Sequence, residues 1–201
     1  MTLTLKTKNN FLDVQICGYA DVQIKEIIFK TPAIGWGFLM EKNMEQDHKK
    51  FMQMAIELSR YNVENAQGGP FGAVVVKDGE VVARSANRVV PTNDPTAHAE
   101  VAAIRLACQE LGTFNLDGCV IYTSCEPCPM CLGAIYWARI NKVYYANTKK
   151  DAADIGFDDH FIYDELELPM ANRKLPFEQM MRGEALQVFD QWRETTNKTD
   201  Y

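Results

Sequence analysis

Three cysteines within seven residues, Cys125, Cys128 and Cys131, constrain the fold of this chain more than any other feature of its sequence. Side chains three apart on a helix lie on one face about one turn apart, a separation that a tetrahedral metal bridges. Pro127 and Pro129 interleave these cysteines, and proline is tolerated only near a helix start. Cys128 and Cys131 are therefore expected at a helix N-terminus, where the positive end of the helix dipole stabilises thiolates. Half of the chain's 6 cysteines crowd into this run, which suits a metal better than a disulfide framework. The fold must then bring at least one further ligand to the same place.

His98 is the candidate. The helical stretch AHAEVAAIRLACQEL follows the loop PTNDPT, with Asp94 or Thr96 available as N-cap and Pro95 suited to an early helical position. This puts His98 in the first turn of a helix, and helix starts in one layer of an α/β sheet tend to point at the same sheet edge. One imidazole and two thiolates make a zinc site without net charge, with a fourth position open to a water whose pKa falls toward about 7. Glu100, two residues past His98, is near enough to approach that water without ligating the metal, and to move protons. A closed structural site with Cys125 as fourth ligand is the alternative, and it would leave Glu100 without a role. His98-Ala99-Glu100 followed by Pro127-Cys128-Pro129-Met130-Cys131 is the zinc deaminase pattern H-x-E then P-C-x-x-C.

The rest of the chain supplies a scaffold. Phe51, Met54, Ala55 and Leu58 recur at helical spacing in the stretch from Met44 to Gly68-Gly69-Pro70. FGAVVVK, the turn Asp78-Gly79 and EVVARSAN then read as a β-hairpin. CVIYTS and KVYYAN read as strands, KKDAADIG as a short helix closed by Gly156, and Leu186, Phe189 and Trp192 as one face of a C-terminal helix. The order α-β-β-α-β-α-β-α predicts a three-layer α/β/α domain around a mixed sheet, over residues 44–201. Residues 1–43 form an N-terminal extension of unassigned role, with strand-like alternation at 13–16 and 22–24, broken at Thr31-Pro32 and Gly35-Trp36-Gly37.

Charge narrows the partners. A net charge of −6 argues against a broad phosphate-binding surface, which needs clustered Lys and Arg, and favours a small neutral substrate over nucleic acid. No stretch approaches the roughly 20 apolar residues that span a bilayer, and the N-terminus lacks the apolar core of a secretory signal. Reduced thiols in the cytoplasm are the expected context.

At GGPFGAVVVKDG, TNDPTAHAEVAAIR, YTSCEPCPMCLGAIYWAR, DAADIGFDDHFIYDEL and the terminal FDQWRETTNKTDY, the chain resembles the cytidine deaminase superfamily and, within it, the bacterial guanine deaminase branch. The resemblance covers roughly 46–201, and residues 1–45 have no counterpart in it. It implies a cytidine deaminase-like fold, one zinc per subunit, and hydrolysis of guanine to xanthine and ammonia. Guanosine, cytosine and adenosine in tRNA are the alternative substrates, and a non-catalytic zinc scaffold is the alternative from another class. It further implies Phe71 stacking on the purine, Asn87 bonding its edge, Asp159 assisting Glu100 in proton transfer, and Trp137 lining the pocket. Finally it implies a homodimer that exchanges C-terminal segments, with Tyr201 covering the neighbour's site; core packing within one chain explains the Leu186–Phe189–Trp192 face equally.

Overall fold

The computed structural model describes the backbone of residues 6–8, 11–13 and 34–200 and the side chains of residues 45–200. The chain divides into two units, Met1–Glu45 and Gln46–Tyr201. In the first, β1 (Lys6–Lys8) and β2 (Phe11–Asp13) pair antiparallel, Lys6 opposite Asp13. The alternations expected at 14–16 and 22–24 lie outside the described residues. Helix α1 (Ile34–Glu64) spans the division and carries Gly35-Trp36-Gly37 inside it, where a break was expected. Two glycines cost a helix about 2 kcal/mol together, and at its very start, ahead of Phe38, Leu39 and Met40, that is too little to end it.

The second unit is built on a four-stranded mixed sheet. Strands β3 (Gly72–Lys77) and β4 (Glu80–Ala86) form the predicted hairpin. Its turn residues Asp78 and Gly79 have φ of +50° and +80°, the double positive φ that a tight two-residue hairpin favours. β5 (Cys119–Cys125) pairs antiparallel with β3 and parallel with β6 (Lys142–Asn147), giving the order β4-β3-β5-β6.

Period-two alternation sorts the strand residues between two layers of helix. Val74, Val76 and Tyr122 bury against Phe51 and Ala55 of α1. Ala73, Val75, Cys119 and Ile121 face the other way. There they meet Ala103, Ile104 and Ala107 of α3 (Ala99–Leu111) and Ile135 of α4 (Pro129–Trp137). The three layers match the expected architecture. Gly72 marks the closest approach of sheet and α1, because a Cβ there would run into the Ala55 carbonyl.

Smaller elements fill the connections. The stretch read as a loop around residue 91 contains a one-turn helix, α2 (Val89–Thr92), closed by Asn93 in the left-handed region. After β6 come α5 (Lys149–Asp154), with a Thr148–Asp151 capping box, and α6 (His160–Glu167). A short 3₁₀ turn (Met170–Asn172) precedes α7 (Arg182–Glu194). Among the described residues, no helix is long and apolar enough to cross a membrane.

Candidate active site

Two helix starts meet at the sheet edge. Cys128 is the N-cap of α4, with Pro129 at its first position and Cys131 in its first turn. His98 is itself the N-cap of α3 instead of a first-turn residue. Asp94 does not cap the helix; its Oδ1 accepts from the Thr96 N–H at 2.8 Å and the Thr96 hydroxyl at 2.7 Å, which shapes the loop ahead of it. Neither His98 nor Cys128 makes a side-chain cap bond, so both side chains are free to turn toward each other.

They do so at ligand spacing. One donor atom from each of His98, Cys128 and Cys131 lies within 4.8 Å of the others, and Nδ1 of His98 is 3.5 Å from Sγ of Cys128 and 3.6 Å from Sγ of Cys131. Zn–S bonds of about 2.3 Å and Zn–N bonds of about 2.0–2.1 Å at a tetrahedral angle separate the donors by roughly 3.6 Å. The three side chains therefore fit zinc without rearrangement. Cys125 turns elsewhere: its thiol donates to the Thr148 carbonyl at 3.6 Å, and burial pushes it up to about 11. Among the described residues the group holds three ligands, which leaves a fourth position for chemistry.

The electrostatics agree with that assignment. The neighbouring Cys131, with His98 adding to the effect, pulls the Cys128 thiol well below its ordinary range, while Cys128 and burial hold Cys131 above its own. The bond to Cys128 raises His98.

Glu100, 5% exposed, sits in the first turn of α3. The Thr123 hydroxyl donates to its Oε1 at 3.0 Å and also faces the Cys125 carbonyl at 2.9 Å. Oε2 lies 3.5 Å from the Cys131 sulfur, on the metal side. Burial drives the Glu100 carboxyl above its ordinary range, as a group that must both take and return a proton requires. Sequence reasoning missed Thr123. Its signal was β5 alternation, which puts Thr123 on the same sheet face as Cys119 and Ile121.

A cleft of about 660 Å³ opens over this center, the size of small-molecule sites, and His98, Glu100, Cys128, Phe71, Asn87 and Asp159 all line it. Phe71 meets Phe157 edge to face at 5.0 Å, and Phe157, which lines the cleft too, was not singled out from the sequence. Asn87 is 6% exposed, and its Oδ1 accepts from the Val89 N–H at 3.2 Å. Among the described residues no buried side-chain nitrogen or oxygen lacks a partner, so the Asn87 amide nitrogen is left as a donor reaching open space. The acidic pair separates by role. Both line the cleft, but Asp158 is engaged by the His160 N–H at 2.9 Å, whereas Asp159 is raised, by desolvation first and by Cys128 second.

Two expected residues are not brought there. Trp137 is 67% exposed and borders a different hollow with Trp192. It ends α4 nine residues past Cys128, about 13 Å along the axis at 1.5 Å per residue. Tyr201 lies outside the described residues.

Known proteins resemble this chain in sequence and fold. Residues 45–147 match the family described as the cytidine and deoxycytidylate deaminase zinc-binding region. The chain is 54% identical over 155 residues to guanine deaminase of Bacillus subtilis, covering 77% of this chain and 99% of that protein. The X-ray structure of guanine deaminase from that organism superimposes with a TM-score of 0.75 over 77% of this chain and 98% of that one. A tRNA-specific adenosine deaminase of Aquifex aeolicus is 32% identical over 142 residues, 71% of this chain and 91% of that protein. With its three ligands at zinc spacing and its buried glutamate beside them, the chain belongs to the cytidine and deoxycytidylate deaminase family and is a zinc-binding hydrolytic deaminase.

Proposed function

We propose that the protein converts guanine and water to xanthine and ammonia. The observation that carries this reading is the convergence of Glu100, Asp159 and Asn87 on the cleft lined by two of the metal ligands, His98 and Cys128, together with 54% identity to a guanine deaminase. His98, Cys128 and Cys131 would hold zinc, which when bound would make a water acidic enough to attack the ring carbon bearing the exocyclic amine. Glu100 takes the first water proton on Oε2 while Thr123 fixes Oε1, passes it to the ring nitrogen, and then carries the second, from the added hydroxyl, to the departing amine. Asp159 accepts from the amino group as it leaves, Asn87 donates to an acceptor on the purine edge, and Phe71 packs on its face.

The subunit is proposed to work as a cytoplasmic homodimer with exchanged C-terminal segments. Every residue from 174 to 200 is exposed in the single chain, and α7 presents Leu186, Phe189 and Trp192 at 37%, 68% and 46% exposure. That exposure supports a second subunit, which would cover the face and bring Tyr201 over the neighbour's cleft.

The zinc-loaded protein is to be incubated with guanine, guanosine, adenine, cytosine and a tRNA substrate while ammonia is measured. Ammonia with xanthine from guanine is the expected result. Faster release from any of the others replaces the substrate, and release from none removes the reading.

A further inference from the structure

Asn62 lies in the middle of no chemistry and near the end of α1, yet it is 2% exposed. Its Nδ2 donates to two carbonyls, Gly69 and Asn87, each at 2.9 Å. Both belong to the substrate side of the cleft. The Gly69 carbonyl also accepts from the Phe71 N–H at 2.8 Å, and the Phe71 carbonyl accepts from the Asn87 N–H at 2.9 Å. Asn62, Gly69, Phe71 and Asn87 thus close a ring of hydrogen bonds. Space around it is tight: a Cβ on Gly68 would stand 3.3 Å from Oδ1 of Asn87 and 3.4 Å from Nδ2 of Asn62.

We propose that Asn62 is a positioning residue for substrate recognition, stapling the Phe71 and Asn87 walls of the cleft to α1. Its amide is the group the geometry needs. Two N–H bonds from one nitrogen satisfy two carbonyls on separate segments; serine offers one donor and aspartate none. Asparagine is also a poor helix former, so the helix itself gives no reason for it. Asn65, just past the end of α1, is the contrast: it is exposed, and its side chain bonds the Tyr61 carbonyl one turn back, at 2.8 Å. Glu100 and Thr123 stand on α3 and β5, outside the ring, so loosening it would disturb where the base sits more than how protons move.

The proposal rests on the guanine reading only for the choice of substrate. The test is steady-state ammonia release from guanine by full-length, zinc-loaded wild type, Asn62→Asp, Asn62→Ser and Asn65→Ala, with zinc content and thermal melting recorded for each. A misplacement of about 1 Å costs roughly a hundredfold in rate. Asn62→Asp, which keeps the shape and loses both donors, is expected to raise KM at least about tenfold while kcat stays within about threefold. Asn62→Ser, with one donor, falls between, and Asn65→Ala matches wild type. An unchanged KM in folded Asn62→Asp overturns the proposal, as does a fall in kcat at constant KM. Where Asn62→Asp does not fold, a wild-type KM in Asn62→Ser overturns it instead. If wild type leaves guanine untouched and deaminates another base, the substrate reading falls and the same comparison is made on that base.

Discussion

Gly72→Ala is the smallest change that should damage this protein severely. In a typical strand, replacing glycine by alanine is neutral or gains up to about 1 kcal/mol, because the unfolded chain loses freedom. Here the added methyl would run into the Ala55 carbonyl and lie 2.8 Å from Cβ of Leu58 and 2.9 Å from the Ser59 nitrogen. All three obstacles are backbone or Cβ atoms, so no side-chain end can swing aside. Either α1 or β3 must move, and moving β3 strains the bond in which the Gly72 N–H donates to the Ser124 hydroxyl oxygen at 3.0 Å. Overpacking of this kind costs about 1–3 kcal/mol, and rigid obstacles place it at the upper end. For a chain of this size about 3 kcal/mol lowers the melting temperature by roughly 6–12 °C. Gly133→Ala serves as the control, because nothing lies within 4 Å of its added methyl inside α4, and it should stabilise by up to about 1 kcal/mol. Thermal melting followed by circular dichroism decides the matter. If Gly72→Ala melts within about 2 °C of wild type, well inside the shift worked out above, the close approach of sheet and helix is not what holds this layer.

Five further outcomes are expected. Glu100→Gln should lower turnover by about 10²–10⁴-fold, the contribution of positioned proton transfer, while zinc content measured by mass spectrometry stays at wild-type level. The same variant tests the sign of burial: the raised Glu100 carboxyl stabilises the folded state while protonated and loses that contribution as pH rises through its folded pKa. Zinc-free Glu100→Gln should therefore melt above zinc-free wild type at pH 8, with the gap closing near about pH 4, where a free glutamate also protonates; an inverted or constant gap refutes this. Cys125→Ser should retain zinc whereas Cys128→Ser loses it, since the Cys125 thiol faces the Thr148 carbonyl; equal loss in both would restore the four-ligand site. Thr123→Val should move the acid limb of the pH–rate profile upward, because losing a donor disfavours the Glu100 carboxylate. Phe189→Asp should shift sedimentation from dimer to monomer if α7 docks on a second subunit.

The metal center was legible because its determinants are local. His98, Glu100, Cys128 and Cys131 are identifiable from spacing and from where a proline permits a helix to begin, and the sheet edge joins the two sites. The hairpin was legible for the same reason, with Asp78-Gly79 announcing its turn. Asn62 and Thr123 were not. Each reads as an ordinary polar residue within its own element, and each takes its meaning from partners 7 to 25 residues away or across the sheet. Trp137 stands at the far end of α4 from Cys128, a distance within one chain that the segment YTSCEPCPMCLGAIYWAR does not display. The one-turn helix α2 escaped notice because four residues are too few to show a period. The exposure of α7 was hidden because an amphipathic pattern reveals an apolar face without revealing what covers it.

The placement of His98 and Cys128 at helix N-caps carries a lesson for engineering. Serine, threonine, asparagine or aspartate at such a position commonly adds about 1 kcal/mol over residues that do not cap. A program that searches this chain for stabilising changes by improving helix ends will rank residues 98 and 128 highly, and both substitutions would cost the protein its metal. Thermal robustness must be sought away from the two helix starts that meet at the cleft, at sites such as Gly133 farther along α4. The chain has given up roughly two good caps for its catalytic center, a concrete instance of the trade between stability and activity.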